Sequence, residues 1–287
     1  MKSISSKLKD ELEALESWMS VRRYSNQTIS CYLSTLTVFF EYFSSYAPSE
    51  ITKEQVNQFN IHYILQKKLS ASYQSQFVNA LKLFYRVHSI NRIEVENLIR
   101  PKKPFQLPKV ISSEEVAQII NATNNLKHKC MLSIIYSGGL RRGELLNLTI
   151  TDIDSKRMLI LIRQGKGMKD RVVPLSLVVL EMLRTYYTAY KPKQYLFEGK
   201  NGGRYSERSI NLVFKKAVRV SGIKKLINLH ILRHSYATHL MEAGTNLRYI
   251  QELLGHKSSR TTQIYTHVST HEINKISSPI DKLNLKK

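Results

Sequence analysis

Five side chains in this sequence suit one piece of chemistry between them. From Asn228 to His267 the chain reads NLHILRHSYATHLMEAGTNLRYIQELLGHKSSRTTQIYTH, which gathers His230, Arg233, His256 and Tyr265 into one stretch. Far upstream, SGGLRRGELLNL adds Arg141. Two guanidiniums, two imidazoles and a phenol fit attack of the phenol on a phosphodiester. A guanidinium is a planar fork matched to two phosphate oxygens. An imidazole moves protons near neutral pH. A phenol with pKa near 10 is only about one part in a thousand ionised at pH 7, a deficit of about 4 kcal/mol, so a nucleophilic Tyr needs cations or a base beside it. Each residue alone has a plainer reading: a surface His/Arg pair three apart, or a packing Tyr among the 16 in the chain. Their co-occurrence is what calls for a common explanation.

Other chemistries fit less well. His230 and His234 are four apart and His239 follows, a spacing that suggests zinc. No Cys joins them, the pattern is H-x-x-R-H rather than H-E-x-x-H, and Arg233 would repel a cation. No metal is expected. Gln164-Gly165-Lys166-Gly167 holds a Lys between glycines, which suits a solvated turn as well as an active tip. The longer P-loop pattern is absent, so no ATP or GTP site, and no cofactor, is expected.

The elements that must position these groups come next. In residues 1–100, four helical patterns follow one another without a strand between them. Leu8, Leu12, Leu15 and Met19 mark the first. Ser25 caps the second, with Ile29, Leu33, Leu36, Phe40 and Phe43 on one face. Thr52 and Gln55 form a capping box for the third, which carries Val56, Phe59, Tyr63 and Ile64. Ser70 or Ser72 opens the fourth, with Phe77, Leu81, Phe84 and Tyr85 inward. Residues 101–110, rich in Pro and basic side chains, read as an extended linker and a domain boundary.

Residues 111–287 are mostly helical with a small antiparallel sheet. Ser112 caps one helix, and Gly138-Gly139 close another. Arg141 stands at the mouth of the next, where backbone N–H groups favour anions. Met158–Ile162 and Arg171–Leu175 read as a hairpin whose tip carries Lys166, with Pro174 at an edge or a strand end. Further helices run over about 177–190 and 206–220, then around Leu232, Tyr236 and Leu240, and around Ile250, Leu253 and Leu254. KSSRTTQ reads as a polar loop.

Composition bounds the partner. There are 44 Lys+Arg against 22 Asp+Glu, a formal net charge of +22 in 287 residues. Nucleic acid is the expected polyanion, because each neutralised phosphate releases condensed counterions. No apolar run reaches membrane-spanning length and the N-terminus lacks an apolar signal core, so no membrane partner and a cytoplasmic, nucleoid-associated location are expected. Cys31 and Cys130 are too far apart for a disulfide framework and read as buried small apolar residues.

The chain resembles the tyrosine recombinases, or phage-type integrases, and among them the compact Xer-like bacterial members. GLRRGELLNL, QGKGMKDRVVPL, HILRHSYATHL and ELLGHKSSRTTQIYTHV carry the resemblance, in the family's order. YSNQTISCYLSTLTVFFEYF resembles the family's helical, SAM-like core-binding domain. The resemblance implies a site-specific recombinase that cuts and rejoins duplex DNA through a 3′-phosphotyrosyl intermediate, without metal or ATP. The setting would be integration or excision of a mobile element, or resolution of DNA multimers. Tyr265 is the implied nucleophile, Arg141 and Arg233 the phosphate clamp, and Lys166 the proton donor to the leaving 5′-oxygen. His230 would assist proton transfer around Tyr265, His256 would hydrogen-bond the phosphate, and Glu144 would orient the site.

The implied assembly is a homo-tetramer on paired DNA sites, with the tail 269–287 packing on a neighbour and room for an accessory protein or a second recombinase. The family often has Ser where Gly143 stands. Two other readings share some features: a type IB topoisomerase relaxing DNA by the same chemistry, and a sequence-specific DNA-binding protein without turnover. In a DNA-free structure the arginine clamp is expected to be formed, with Tyr265 or Lys166 out of place.

Overall fold

The structure, a computed structural model, describes residues 6–90, 98, 101, 109–163, 170–256, 258–263 and 265. The chain divides into two compact units, Met1–Phe105 and Gln106–Lys287. Most of the Pro-rich linker, the tip with Lys166 and the tail 269–287 lie outside the described residues.

The first unit is helical: α1 (Ser6–Val21), α2 (Asn26–Tyr42), α3 (Lys53–Phe59) and α4 (Ala71–Val87). Local signals set the starts. Ser25, Thr52 and Ser70 each accept a backbone N–H of the first turn, and Thr52 and Gln55 form the reciprocal box. Leu15, Met19, Leu36, Phe39, Phe59, Phe77 and Phe84 are buried together. The rings of Phe39 and Phe59 meet edge to face at 5.0 Å, the arrangement their quadrupoles favour. After α3 the chain continues as a π-helical turn, Asn60–Leu65, which no sequence pattern announced. Cys31, expected to be buried, is only partly so, because it lies off the inward face of α2; Cys130 is buried.

The second unit holds α5 (Ser113–Asn121), α6 (Leu126–Gly138), α7 (Arg142–Asn147), β1 (Ile153–Asp154), β2 (Leu159–Ile162), β3 (Arg171–Pro174), α8 (Leu177–Tyr190), α9 (Glu207–Val220), α10 (Ile231–Glu242), α11 (Leu247–Leu254) and α12 (Ser259–Gln263). Apolar α6, with Cys130, Met131, Leu132 and Ile134 fully buried, packs against α8 and α10. The sheet is antiparallel in the order β1-β2-β3. Ile162 pairs with Arg171, and Leu159 with Pro174. Pro174 thus ends an edge strand, where its missing donor costs little. KSSRTTQ is not a plain loop: Ser259–Gln263 form the short helix α12.

Candidate active site

Four short stretches of the second unit carry the site: the turn into α7, the first residue of β3, the start of α10, and the end of α11 with the segment to Tyr265. Glu144, in the first turn of α7, is their common acceptor. It is 8% exposed. It accepts the Arg141 backbone N–H at 2.8 Å and Arg141 Nη1 at 2.8 Å. It also accepts a two-pronged contact from Arg171, Nη1 at 2.8 Å and Nη2 at 2.7 Å. Arg233 Nη1 stands 3.9 Å away. Burial pushes the carboxyl pKa up, but Arg171 and then Arg141 outweigh it and hold it at about 2.

The same three guanidiniums close on three consecutive carbonyls at the end of α11. Arg171 Nε donates to Leu253 O at 2.7 Å, Arg233 Nη2 to Leu254 O at 2.6 Å, and Arg141 Nη2 to Gly255 O at 3.3 Å. Terminal helix carbonyls lack intrahelical partners and carry partial negative charge, so cations settle there. Arg233 Nη1 also donates to Gly139 O at 2.5 Å. Gly139 closes α6 at φ +59°, and a Cβ there would stand 2.5 Å from the Tyr236 ring, so glycine alone presents this carbonyl. Arg233 is 1% exposed. Burial, and next Arg141, lower its pKa to about 9, which leaves it charged at neutral pH.

The imidazoles are neutral. Arg233 Nη2 lies 3.1 Å from His256 Nε2, and as a guanidinium it can only donate. The His256 proton therefore sits on Nδ1 and is donated to Thr262 Oγ1 at 2.9 Å. Burial first, then Arg233 and Arg141, lower the His256 pKa to about 3. His234 is lowered to about 4 by burial, then by His230 and Arg233. His230 occupies the N-cap position of α10, its backbone N–H donating to Asn228 Oδ1 at 3.0 Å. Solvent reaches its side chain, yet the protein crowding the ring, followed by Arg233 and Arg141, lowers its pKa. It opens on a cavity of about 610 Å³ shared with Arg141, Arg142, Gly143, Lys215 and Asn228. A Cβ at Gly143 would meet nothing within 4 Å, so this position has room for a side chain.

Tyr265 is 1% exposed and packs with Tyr236, Ala237, Ile250 and Leu254. Its hydroxyl is 2.9 Å from His234 Nδ1. Its ring lies parallel to that of His256, at 10° and 6.5 Å between centroids. Burial raises its pKa; Arg233 and then Arg141 oppose this without overcoming it. Arg141, Glu144, Arg233, His256 and Tyr265 thus come together from distant parts of the sequence, with His230 on the rim. The imidazole on the phenol is His234, however, and not His230. Lys166 lies outside the described residues. Sequence reasoning missed Arg171, which read only as a strand start, and His234, which read only as a candidate zinc ligand. His239 is instead held by the Tyr136 hydroxyl at 2.8 Å. Among the described residues, no three His, Cys, Asp or Glu side chains are grouped to hold a metal ion.

These shifts have a sign. Below about pH 6.5 the unfolded chain takes protons that folded His234 and His256 refuse, so stability falls as pH drops from there toward about 4 and 3. Glu144, depressed to about 2, adds stability that is complete above about pH 4.5 and lost as pH falls through 2. Thermal melts from pH 8 to 2 should show both windows. Glu144→Gln should flatten the lower one and cost about 3–5 kcal/mol at pH 7, because it strands buried guanidiniums. An unchanged melting temperature at pH 7 would contradict the hub role.

With this geometry in place, comparison with known proteins is direct. The Phage integrase family matches residues 109–272, and the phage integrase N-terminal SAM-like domain matches residues 12–92. The tyrosine recombinase XerA of Pyrococcus horikoshii is 35% identical over 272 residues, covering 92% of this chain and 91% of that protein. The crystal structure of XerH site-specific recombinase bound to difH substrate, a pre-cleavage complex, has a TM-score of 0.69 at 26% identity, covering 86% of this chain and 79% of that one. A lambda integrase tetramer bound to a Holliday junction shares the fold, with a TM-score of 0.73 at 19% identity over 90% of this chain and 76% of that one. The chain belongs to the phage integrase family. It is a tyrosine-type, site-specific DNA recombinase of the Xer-like kind. Among the described residues no helix is long and apolar enough to cross a membrane.

Proposed function

We propose that Tyr265 is the nucleophile of strand exchange and that Arg141 and Arg233 clamp the scissile phosphate. The Tyr265 oxygen attacks phosphorus, the bond to the 5′-oxygen breaks, and the 5′-oxygen leaves as a hydroxyl with a proton from Lys166. The bond energy is kept in the 3′-phosphotyrosyl link, so attack by a 5′-hydroxyl from either strand rejoins the DNA. One observation carries this reading: three guanidiniums surround one carboxylate beside a tyrosine, which leaves two net positive charges. A phosphodiester brings one negative charge and its pentavalent transition state two. The site therefore matches the transition state better than the ground state.

The neutral imidazoles fit supporting roles. In the DNA-free site His256 Nε2 accepts from Arg233. A phosphate raises the pKa of a nearby imidazole, and the proton so gained lets Nε2 donate to a phosphate oxygen. His230, on the rim beside Arg141, takes the phenol proton as Tyr265 attacks and returns it when the strand is rejoined. Tyr265 is buried on His234, so it turns out of its packing to reach phosphorus. Even an unperturbed phenol would yield its proton to an imidazole of pKa about 4 only at a cost of about 8 kcal/mol, so this is a resting arrangement.

The partner in this reading is duplex DNA of the nucleoid, gripped by residues 1–100 as the core-binding domain, 101–110 as linker and 111–287 as the catalytic domain. The net charge of +22 supports it. The assembly is a homo-tetramer on two duplexes, with tails 269–287 exchanged between neighbours. It works alone or with an accessory protein or second recombinase, and the same chemistry serves integration, excision and multimer resolution.

A nicked duplex labelled on the 5′ side of the cleavage point tests the chemistry, because the short 3′ fragment diffuses away and traps the adduct. A detergent-stable, labelled protein–DNA band should form at undiminished yield with chelator present and no nucleotide. A band that needs magnesium or ATP, or label carried only by a 5′-linked strand, would contradict the mechanism.

A further inference from the structure

We propose that Arg171 is a positioning residue for strand cleavage, holding Glu144 and the end of α11 so that Arg141 presents its guanidinium to the scissile phosphate. The proposal rests on the reading of Arg141 as a phosphate clamp. Arg141 has two side-chain anchors, Glu144 Oε1 at 2.8 Å and Gly255 O at 3.3 Å. Arg171 holds both. It takes the two-pronged seat on Glu144, and its Nε takes Leu253 O, two residues before Gly255. Its Cδ lies 3.0 Å from where a Gly255 Cβ would stand. The Arg171 side chain is 9% exposed and that of Glu144 5%.

A carboxylate offers one side-on seat to a guanidinium fork. With Arg171 in that seat, Arg141 is tied to Glu144 through a single Nη1 contact and keeps other donors for a ligand. Its side chain is 22% exposed, so a ligand can reach it. With the seat vacant, Arg141 can swing into it and turn its fork toward Glu144 and away from the phosphate. Arg171 itself has all three of its nitrogens on protein acceptors, and its action is through Arg141. It is also the first residue of β3, paired with Ile162.

Arg171→Lys keeps the charge and the strand but loses the fork. Single-turnover cleavage at saturating DNA should fall about hundredfold, the scale of a small misplacement of a catalytic group, with duplex affinity within about threefold. The decisive readout is a substrate whose scissile phosphate is a methylphosphonate, which lacks the charged oxygen that Arg141 would meet. There the gap between Arg171→Lys and the parent should narrow to about threefold. A hundredfold gap on both substrates, or parental cleavage of the ordinary phosphodiester by Arg171→Lys, overturns the proposal. Thermal melts report folding. If Arg171→Lys fails to fold, Arg171→Gln, which leaves Glu144 its contact with Arg141, should show the same narrowing, and parental cleavage by it overturns the proposal. Arg141→Ala, run alongside, separates the two levels. Normal cleavage by Arg141→Ala sinks the clamp reading, whereas inactive Arg141→Ala with normal Arg171→Lys sinks only the role of Arg171.

Discussion

Arg233→Lys is expected to slow single-turnover strand cleavage by about 10²–10³-fold while the protein still folds and binds duplex DNA. The charge survives the substitution but the fork does not. Arg233 places Nη1 on Gly139 O and shares Nη2 between Leu254 O and His256 Nε2. A lysine ammonium is compact and cannot span acceptors on α6, α11 and the following turn together. The phosphate then meets a charge without fixed geometry, and His256 loses the donor that sets its tautomer. The alanine variant is a poorer test, because it opens a void at a side chain that is 1% exposed. Rapid-quench cleavage of a nicked duplex at saturating protein, beside a thermal melt, checks the expectation. A rate within about threefold of the parent would remove Arg233 from the clamp.

Tyr265→Phe should abolish covalent adduct altogether and leave DNA affinity within about twofold, because affinity for duplex DNA comes chiefly from phosphate contacts elsewhere on a strongly basic chain. The ring stays and only the hydroxyl goes, so the packing against Tyr236, Ile250 and Leu254 is kept. His234 loses its contact at Nδ1 and keeps its place beside His230, with ring centroids 4.5 Å apart. The folding cost is about one hydrogen bond, ~1 kcal/mol. Gel-shift titration and detergent-resistant adduct formation, run on the same preparation, measure both halves. Any adduct above background would mean that another side chain attacks.

The helix starts were legible because capping is local. Ser25, Thr52, Ser70 and Ser112 each act on residues within three positions, and each caps as its sequence suggests. The hairpin and the glycine stop at Gly139 were visible for the same reason. Elements of a few residues were not: β1, the π-helical turn at Asn60–Leu65 and α12 are too short for a repeating pattern to single them out. Their existence depends on tertiary partners, as in the pairing of Ile153 with Ile160.

The site divides along the same line. Arg141, His230, Arg233, His256 and Tyr265 stood out by residue type, and resemblance to a family added Glu144 and Lys166. Arg171 did not stand out, because its meaning lies in contacts with Glu144, 27 residues away, and Leu253, 82 residues away. His234 was visible as an imidazole but not as the partner of the phenol. A spacing of four from His230 says which face it shares, and nothing about a tyrosine 31 residues further on. In the structure the arginines are tied to Glu144 and the end of α11, while the phenol is buried against His234.

Trapping the adduct on a nicked duplex, digesting the protein and sequencing the DNA-linked peptide by tandem mass spectrometry tests the central claim most directly. The account predicts one modified peptide, with the 3′-phosphate of the cleaved strand on the oxygen of Tyr265. A phosphate on another tyrosine, on a serine, or linked through the 5′ end of the strand would contradict it.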